Sequence, residues 1–139
     1  MKEKLHKILI VEDDMLLSLV QKRLVEKLGY TVLGKAETGE QAIEMVRDLK
    51  PDLVMMDISL KGNMDGIQTM HQIRLFSDVP VIYLSGNSDK HSIERARKTD
   101  YVDYLVKPVS ESDIAYPLRK GTGQLTYTEQ KSDSVRYAV

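Results

Sequence analysis

At 139 residues the chain is long enough for one domain with a substantial core and short for two. Apolar content of 42%, charged content of 29% and a formal net charge of -1 describe an ordinary globular protein, not a general nucleic-acid or membrane-surface binder. The absence of cysteine excludes disulfides, a thiol nucleophile and a Cys-based zinc site, and His6, His71 and His91 show no metal-ligand spacing.

Lys7-Ile8-Leu9-Ile10-Val11 reads as a first buried strand that stops on Glu12-Asp13-Asp14. It is too short for the apolar core of a signal peptide, and no run reaches transmembrane length, so the expected compartment is the cytoplasm. From Met15 the pattern turns helical. Leu16, Leu17, Val20, Leu24 and Leu28 are expected on one inward face, with Asp13 or Asp14 as N-cap and Gly29 as C-cap. Tyr30 to Ala36 reads as a second strand of mixed polarity. A second helix opens at Thr38-Gly39-Glu40, turns Ala42, Ile43, Val46 and Leu49 inward, and ends at Pro51.

Leu53-Val54-Met55-Met56-Asp57 is an apolar run ending abruptly on a carboxylate, the pattern of a strand buried on both faces of a parallel sheet. A polar loop from Ser59 leads into a third helix, Gly66 to Phe76, with Ile67, Met70 and Ile73 inward. The fourth strand, Val79 to Leu84, ends on Ser85-Gly86-Asn87. A polar helix from Asp89 to Thr99 follows, with Arg95, Arg97 and Lys98 expected on its wet face. Tyr101 to Val106 supplies a fifth strand ending on Lys107-Pro108, and a last helix starts near Ser110. Pro117 is expected to cut that helix short. Five strands alternating with five helices form βαβ units and an α/β parallel sheet covered on both faces.

Right-handed crossovers bring all these strand ends to one edge, where ligands of open α/β sheets collect. There the carboxylates Glu12, Asp13, Asp14 and Asp57 meet Ser85 and Lys107. Crowded carboxylates repel unless a cation intervenes, and a hard divalent ion such as Mg²⁺ suits them. A carboxylate nucleophile, a metal site, a hydroxyl and a lysine together suit acceptance of a phosphoryl group. Taken singly, each residue has a plainer use: Asp57 as a cap, Ser85 beginning a turn, Lys107 solvated, Tyr104 as strand packing.

The ordered set resembles a response-regulator receiver domain of two-component signalling, the CheY-like superfamily. It comprises the acid pair after Ile-Leu-Ile-Val, Met-Asp57-Ile, Ser85-Gly, and Tyr104-Leu-Val-Lys107-Pro108. The resemblance covers roughly Lys4 to Ala115. It implies a doubly wound, flavodoxin-like five-stranded sheet of order 2-1-3-4-5, with a receiver at 1–120 and a tail at 121–139. Asp57 would take a phosphoryl group from a sensor histidine kinase or phosphotransfer protein. Asp13, Asp57, the Ser59 backbone carbonyl and, through water, Glu12 would hold Mg²⁺. Ser85 and Lys107 would contact phosphoryl oxygens, Tyr104 would turn inward as a switch, and Lys107–Pro108 would be cis.

The resemblance implies a regulatory module, not a metabolic enzyme, with an output partner left unnamed. It also implies a homodimer surface on the fourth helix, fifth strand and fifth helix, and no direct contact with nucleic acid or membrane. The loop from Ile58 to Gly66 departs from the family, many of whose members have Pro at the Lys61 position and one residue fewer. Two rivals are weaker. A phosphoaspartate hydrolase would carry Asp where Ser59 stands, and a flavodoxin-like nucleotide binder would have a Gly-rich loop where Glu12-Asp13-Asp14 stands. In the tail, the alternation of Leu125 and Tyr127, then of Val135, Tyr137 and Val139, suits short edge strands or a swapped arm as readily as disorder.

Overall fold

The computed structural model describes residues 6–136. Its strands are β1 (Lys7–Val11), β2 (Thr31–Ala36), β3 (Leu53–Asp57), β4 (Val81–Ser85) and β5 (Asp103–Val106). The helices are α1 (Met15–Lys27), α2 (Gly39–Leu49), α3 (Gly66–Ile73), α4 (Lys90–Arg97), α5 (Glu111–Gly121) and α6 (Tyr127–Arg136). All strand pairs are parallel, in the order β2-β1-β3-β4-β5. Every residue of β3 and β4 is buried, which is why these segments read as continuous apolar runs rather than alternating ones.

The sheet divides two apolar layers. On one face Leu9, Val54, Met56, Val81 and Tyr83 pack with Ala42 and Val46 of α2, Ile67 and Met70 of α3, and Ala96 of α4. On the other, Ile8, Leu53, Met55, Ile82 and Leu84 pack with Val25 of α1 and with Ile114 and Leu118 of α5. The chain winds toward β2 and then back across β1, so right-handed crossovers place α1 and α2 on opposite faces. Each of α1 to α5 is N-capped by a side chain that accepts a backbone N–H: Asp14, Thr38, Asp65, Asp89 and Ser110. No helix among the described residues is long and apolar enough to cross a membrane.

Several expectations need correction. The buried stripe of α1 is Ser18, Gln21 and Val25, while Leu16 and Val20 are 69% and 46% exposed. The helical spacing of the apolar residues points to a rotation that the structure does not keep, and Leu17, Leu24 and Leu28 are half-buried at the stripe's flank. Leu49 is also exposed, at the end of α2. Helix α3 ends at Ile73 rather than Phe76, and α4 spans Lys90–Arg97 within the expected 89–99.

Pro117 does not end α5, which runs on to Gly121 with the ring buried. A proline seven residues into a helix forfeits its bond to the carbonyl four back, here that of Asp113 in the first turn, and crowds that carbonyl; α5 continues past both costs. The tail forms no edge strand over its described part. Thr126 and Glu129 cap one another at the start of α6, Glu129 pairs with Arg119 of α5, and the Tyr30 hydroxyl donates to Gln124 at 2.8 Å. Tyr137 and Val139 lie outside the described residues.

Tyr83 is the largest wholly buried side chain and carries a polar atom into the layer under α4. Its hydroxyl lies 2.6 Å from Thr99 Oγ1, which itself donates to the Ala96 carbonyl. Tyr83 is therefore the donor of that pair. Burial pushes its phenol up to about 12, the Thr99 contact opposing. The folded state thus holds this proton more tightly than the unfolded chain, whose phenol titrates near 10. That stabilisation is complete below pH ~10 and is lost as pH rises towards ~12. Tyr83→Phe is expected to lower stability by about 1 kcal/mol at neutral pH. It should also flatten the decline in stability between pH ~10 and ~12, as measured by urea denaturation across that range. An unchanged alkaline slope would contradict this account of Tyr83.

Candidate functional site

The carboxyl ends of β1, β3, β4 and β5 lie side by side, and each delivers one of the polar groups singled out in the sequence. Glu12 and Asp13 follow β1, Asp57 closes β3, Ser85 closes β4 and Lys107 follows β5. Carboxylate oxygens of Glu12, Asp13 and Asp57 come within 4.8 Å of one another. Glu12 and Asp57 are each only 2% exposed, so water does little to screen them.

Lys107 answers part of this charge. Its Nζ lies 3.1 Å from Asp57 Oδ1 and 3.3 Å from Glu12 Oε1, with the Lys107–Pro108 peptide cis. Asp57 Oδ1 also accepts the Ser59 N–H at 3.1 Å, and Asp13 Oδ2 accepts the Lys61 N–H at 3.0 Å. Glu12 Oε2 takes the Asp14 N–H, and Glu12 Oε1 takes the Gln21 amide, both at 3.2 Å. Burial pushes the Glu12 carboxyl above its ordinary value. The Asp14 N–H opposes that shift, and the neighbouring Asp57 charge adds to it. Burial alone would lower Lys107, but Asp57 and Glu12 outweigh it and hold the ammonium above its ordinary value.

One ammonium faces three carboxylates, leaving an excess of negative charge on hard oxygen donors. That donor set fits a divalent ion such as Mg²⁺, with Glu12, Asp13 and Asp57 as the residues available to hold it.

At α3 the backbone is held close against this cluster. A Cβ on Gly66 would fall 2.2 Å from the Asp57 carbonyl oxygen, so only glycine lets the helix start there.

Ser85 and Tyr104 meet on a residue that sequence reasoning did not single out. Ser85 Oγ accepts the Asn87 N–H at 3.2 Å, and the Tyr104 hydroxyl donates to the Asn87 carbonyl at 3.1 Å. The Tyr104 ring stands edge-on to Tyr101, which stands edge-on to Tyr83, with centroids 6.4 and 6.0 Å apart.

Arg95 was also misjudged. It reaches across to Asp65, the α3 cap, at 2.7 Å, whereas Arg97 stays on the wet face beside Glu94. A cap at 65 and an arginine at 95 carry no sequence signal of being partners, since only the fold brings α4 over the start of α3.

The chain matches the family described as response regulator receiver domain over residues 8–119. It is 38% identical over 109 residues to the probable C4-dicarboxylate response regulator DctR of Halalkalibacterium halodurans, covering 77% of this chain and 47% of that protein. With the chemotaxis protein CheY of Thermotoga maritima it shares 32% identity over 115 residues, covering 82% of this chain and 95% of CheY. Among solved structures, the signal receiver domain of a modulated diguanylate cyclase from Desulfovibrio desulfuricans G20 superposes with a TM-score of 0.80. That pair is 31% identical, covering 87% of this chain and 96% of the other. The chain spans about half the length of DctR and of PdtaR of Mycobacterium tuberculosis, 47% and 53%.

The crowded carboxylates make a direct prediction about metal. At free Mg²⁺ of about 100 times its Kd, the native state should gain about 2.7 kcal/mol, measured by urea denaturation with and without MgCl2. Asp13→Asn should lose most of that gain. An equal gain in the variant would remove Asp13 from the ligand set.

Proposed function

The chain belongs to the response-regulator receiver family of two-component systems, and from that premise we propose that Asp57 is the residue that accepts the phosphoryl group. The single observation that carries this reading is the Lys107 ammonium lying between Asp57 and Glu12, beyond the carboxyl ends of β5, β3 and β1. The donor is the phosphohistidine of a sensor kinase or of a phosphotransfer protein. The Ser59 N–H and the Lys107 ammonium both contact Asp57 Oδ1, which leaves Oδ2 as the oxygen for attack on phosphorus. As the new O–P bond forms, the P–N bond to the histidine breaks, the imidazole nitrogen keeps the electron pair, and an acyl phosphate results.

This chain's residues orient and neutralise rather than exchange protons. The Ser59 N–H fixes the rotamer of the carboxylate. Lys107 is free to shift from Glu12 and Asp57 to a phosphoryl oxygen, since the same ammonium reaches both acids. Mg²⁺ supplies charge neutralisation of the transferring group when bound. Glu12, Asp13, Asp57 and the Ser59 backbone carbonyl are the residues that would hold it. The module is regulatory, and its substrate is its partner's phosphoryl group.

Output follows from the same charge. The acyl phosphate carries about −1.5 to −2 where the Asp57 carboxylate carried −1, and its outer oxygens draw the Ser85 hydroxyl and Lys107 towards them. Ser85 then releases the Asn87 N–H, and the loop that also holds the Tyr104 hydroxyl is freed to move. Tyr104 turns inward, changing the surface of α4, β5 and α5, the face offered to an output partner or to a second copy of the chain. A change of a few kcal/mol in relative stability suffices for such a switch. Residues from Gly121 onward lie outside this chemistry as a peripheral tail.

The test is incubation with acetyl phosphate and Mg²⁺, read by intact-mass spectrometry and by ¹H–¹⁵N spectra. A single added phosphoryl group is expected in the wild type and none in Asp57→Asn. Ser85→Ala should still gain mass while losing the spectral response around Asn87 and Tyr104. Phosphorylation of Asp57→Asn, or continuous turnover of phosphoesters, contradicts the proposed chemistry. A full spectral response in Ser85→Ala contradicts the switch.

A further inference from the structure

Gln21 lies in the middle of α1, 4% exposed, on the inward stripe between Ser18 and Val25. Leu17, Val20, Leu24, Pro108 and Val109 line, with Lys107, a mostly apolar groove beside it, and an apolar side chain would fill the position without leaving a polar atom behind. The amide does leave one. Gln21 Oε1 is buried and has no hydrogen-bond partner among the described residues, an arrangement that weakens the fold. Stability therefore does not account for glutamine here.

What the side chain gains lies at its other end. Nε2 stands 3.2 Å from Glu12 Oε1. The reverse amide orientation would set oxygen against carboxylate, so the donor is the group that belongs there.

Glu12 Oε1 is also the atom that Lys107 touches, at 3.3 Å. The ammonium divides its contacts between Glu12 and Asp57, whereas the Gln21 amide is committed to Glu12. We propose that Gln21 is a positioning residue for the metal site, holding the Glu12 carboxylate in its metal-facing orientation whether or not Lys107 is in contact with it. This inference rests on the reading that Glu12, Asp13 and Asp57 hold Mg²⁺. It adds a residue that the strand-end pattern does not contain. It also explains the orphaned oxygen: the position gives up one hydrogen bond in the core to fix an acid at the site.

The experiment uses the full chain with Gln21→Leu and Gln21→Met, which keep roughly the side-chain volume and remove the amide. Urea denaturation without metal is compared with isothermal titration of MgCl2 alone, and Asp13→Asn serves as the control for the site. Both Gln21 variants should be at least as stable as the wild type without metal, yet bind Mg²⁺ about tenfold more weakly. A purely structural role for Gln21 would give the opposite pattern, reduced metal-free stability with unchanged affinity, and would overturn the inference. Wild-type affinity in both variants, with Asp13→Asn weakened, overturns the inference and leaves the metal site standing. A wild type that binds no Mg²⁺, or an Asp13→Asn that binds as tightly, overturns the site and the inference with it.

Discussion

The contact on which the rest of this structure depends is the Lys107 ammonium against Glu12 and Asp57. Two nearly inaccessible carboxylates, with Asp13 beside them, are held where they repel one another, and one lysine offsets only part of that charge. A fold selected for stability alone would place apolar side chains there, because a buried ion pair is at best a weak source of stability. On the function proposed above, the cluster is a site held ready for positive charge and for phosphorus. Its energetic burden falls on β3 and β4, whose side chains are buried without exception.

Topology turns that local cluster into something the molecule can report. Because β1 and β3 are neighbours and β4 follows, the acids sit next to Ser85, and β5 sets Tyr104 beside the same loop. Asn87 joins the two through its own backbone, N–H to Ser85 and C=O to Tyr104. The helices begin close to the same edge. Gly66 lets α3 start in contact with the Asp57 backbone, and Asp65 ties that start to α4 through Arg95. Any movement at Asp57 therefore meets closely packed backbone on one side and a hydrogen-bonded loop on the other.

Much of this was legible in the chain because buried parallel strands announce themselves. Leu53–Asp57 and the strand ending at Ser85 are apolar runs that stop on polar residues, and their order alone brought Glu12, Asp13, Asp57 and Lys107 together. Contacts that depend on rotation about a helix axis were less visible. In α1 the many leucines suggested an inward face, yet Leu16 and Val20 are exposed and Gln21 is buried, because the helix turns an amide towards Glu12. The Asp65–Arg95 pair and the Asn87 junction span 30 and 17 residues, and no local pattern encodes them. The tail is a different case. The Thr126 to Glu129 spacing is a capping-box signature for α6, and it outweighed the alternation of Leu125 and Tyr127 that had suggested strands.

The central claim is that Lys107 leaves its place between Glu12 and Asp57 to meet a phosphoryl group on Asp57 while the acids hold metal. A crystal structure with Mg²⁺ and trifluoroberyllate, a stable mimic of the phosphoryl group, tests it most directly. The account predicts beryllium bonded to an Asp57 carboxylate oxygen, the metal on Asp13 and Asp57, and Lys107 Nζ and Ser85 Oγ each in contact with fluorine. Beryllofluoride on another carboxylate, or bound to Asp57 with Lys107 still bridging Glu12 and Asp57, would contradict it.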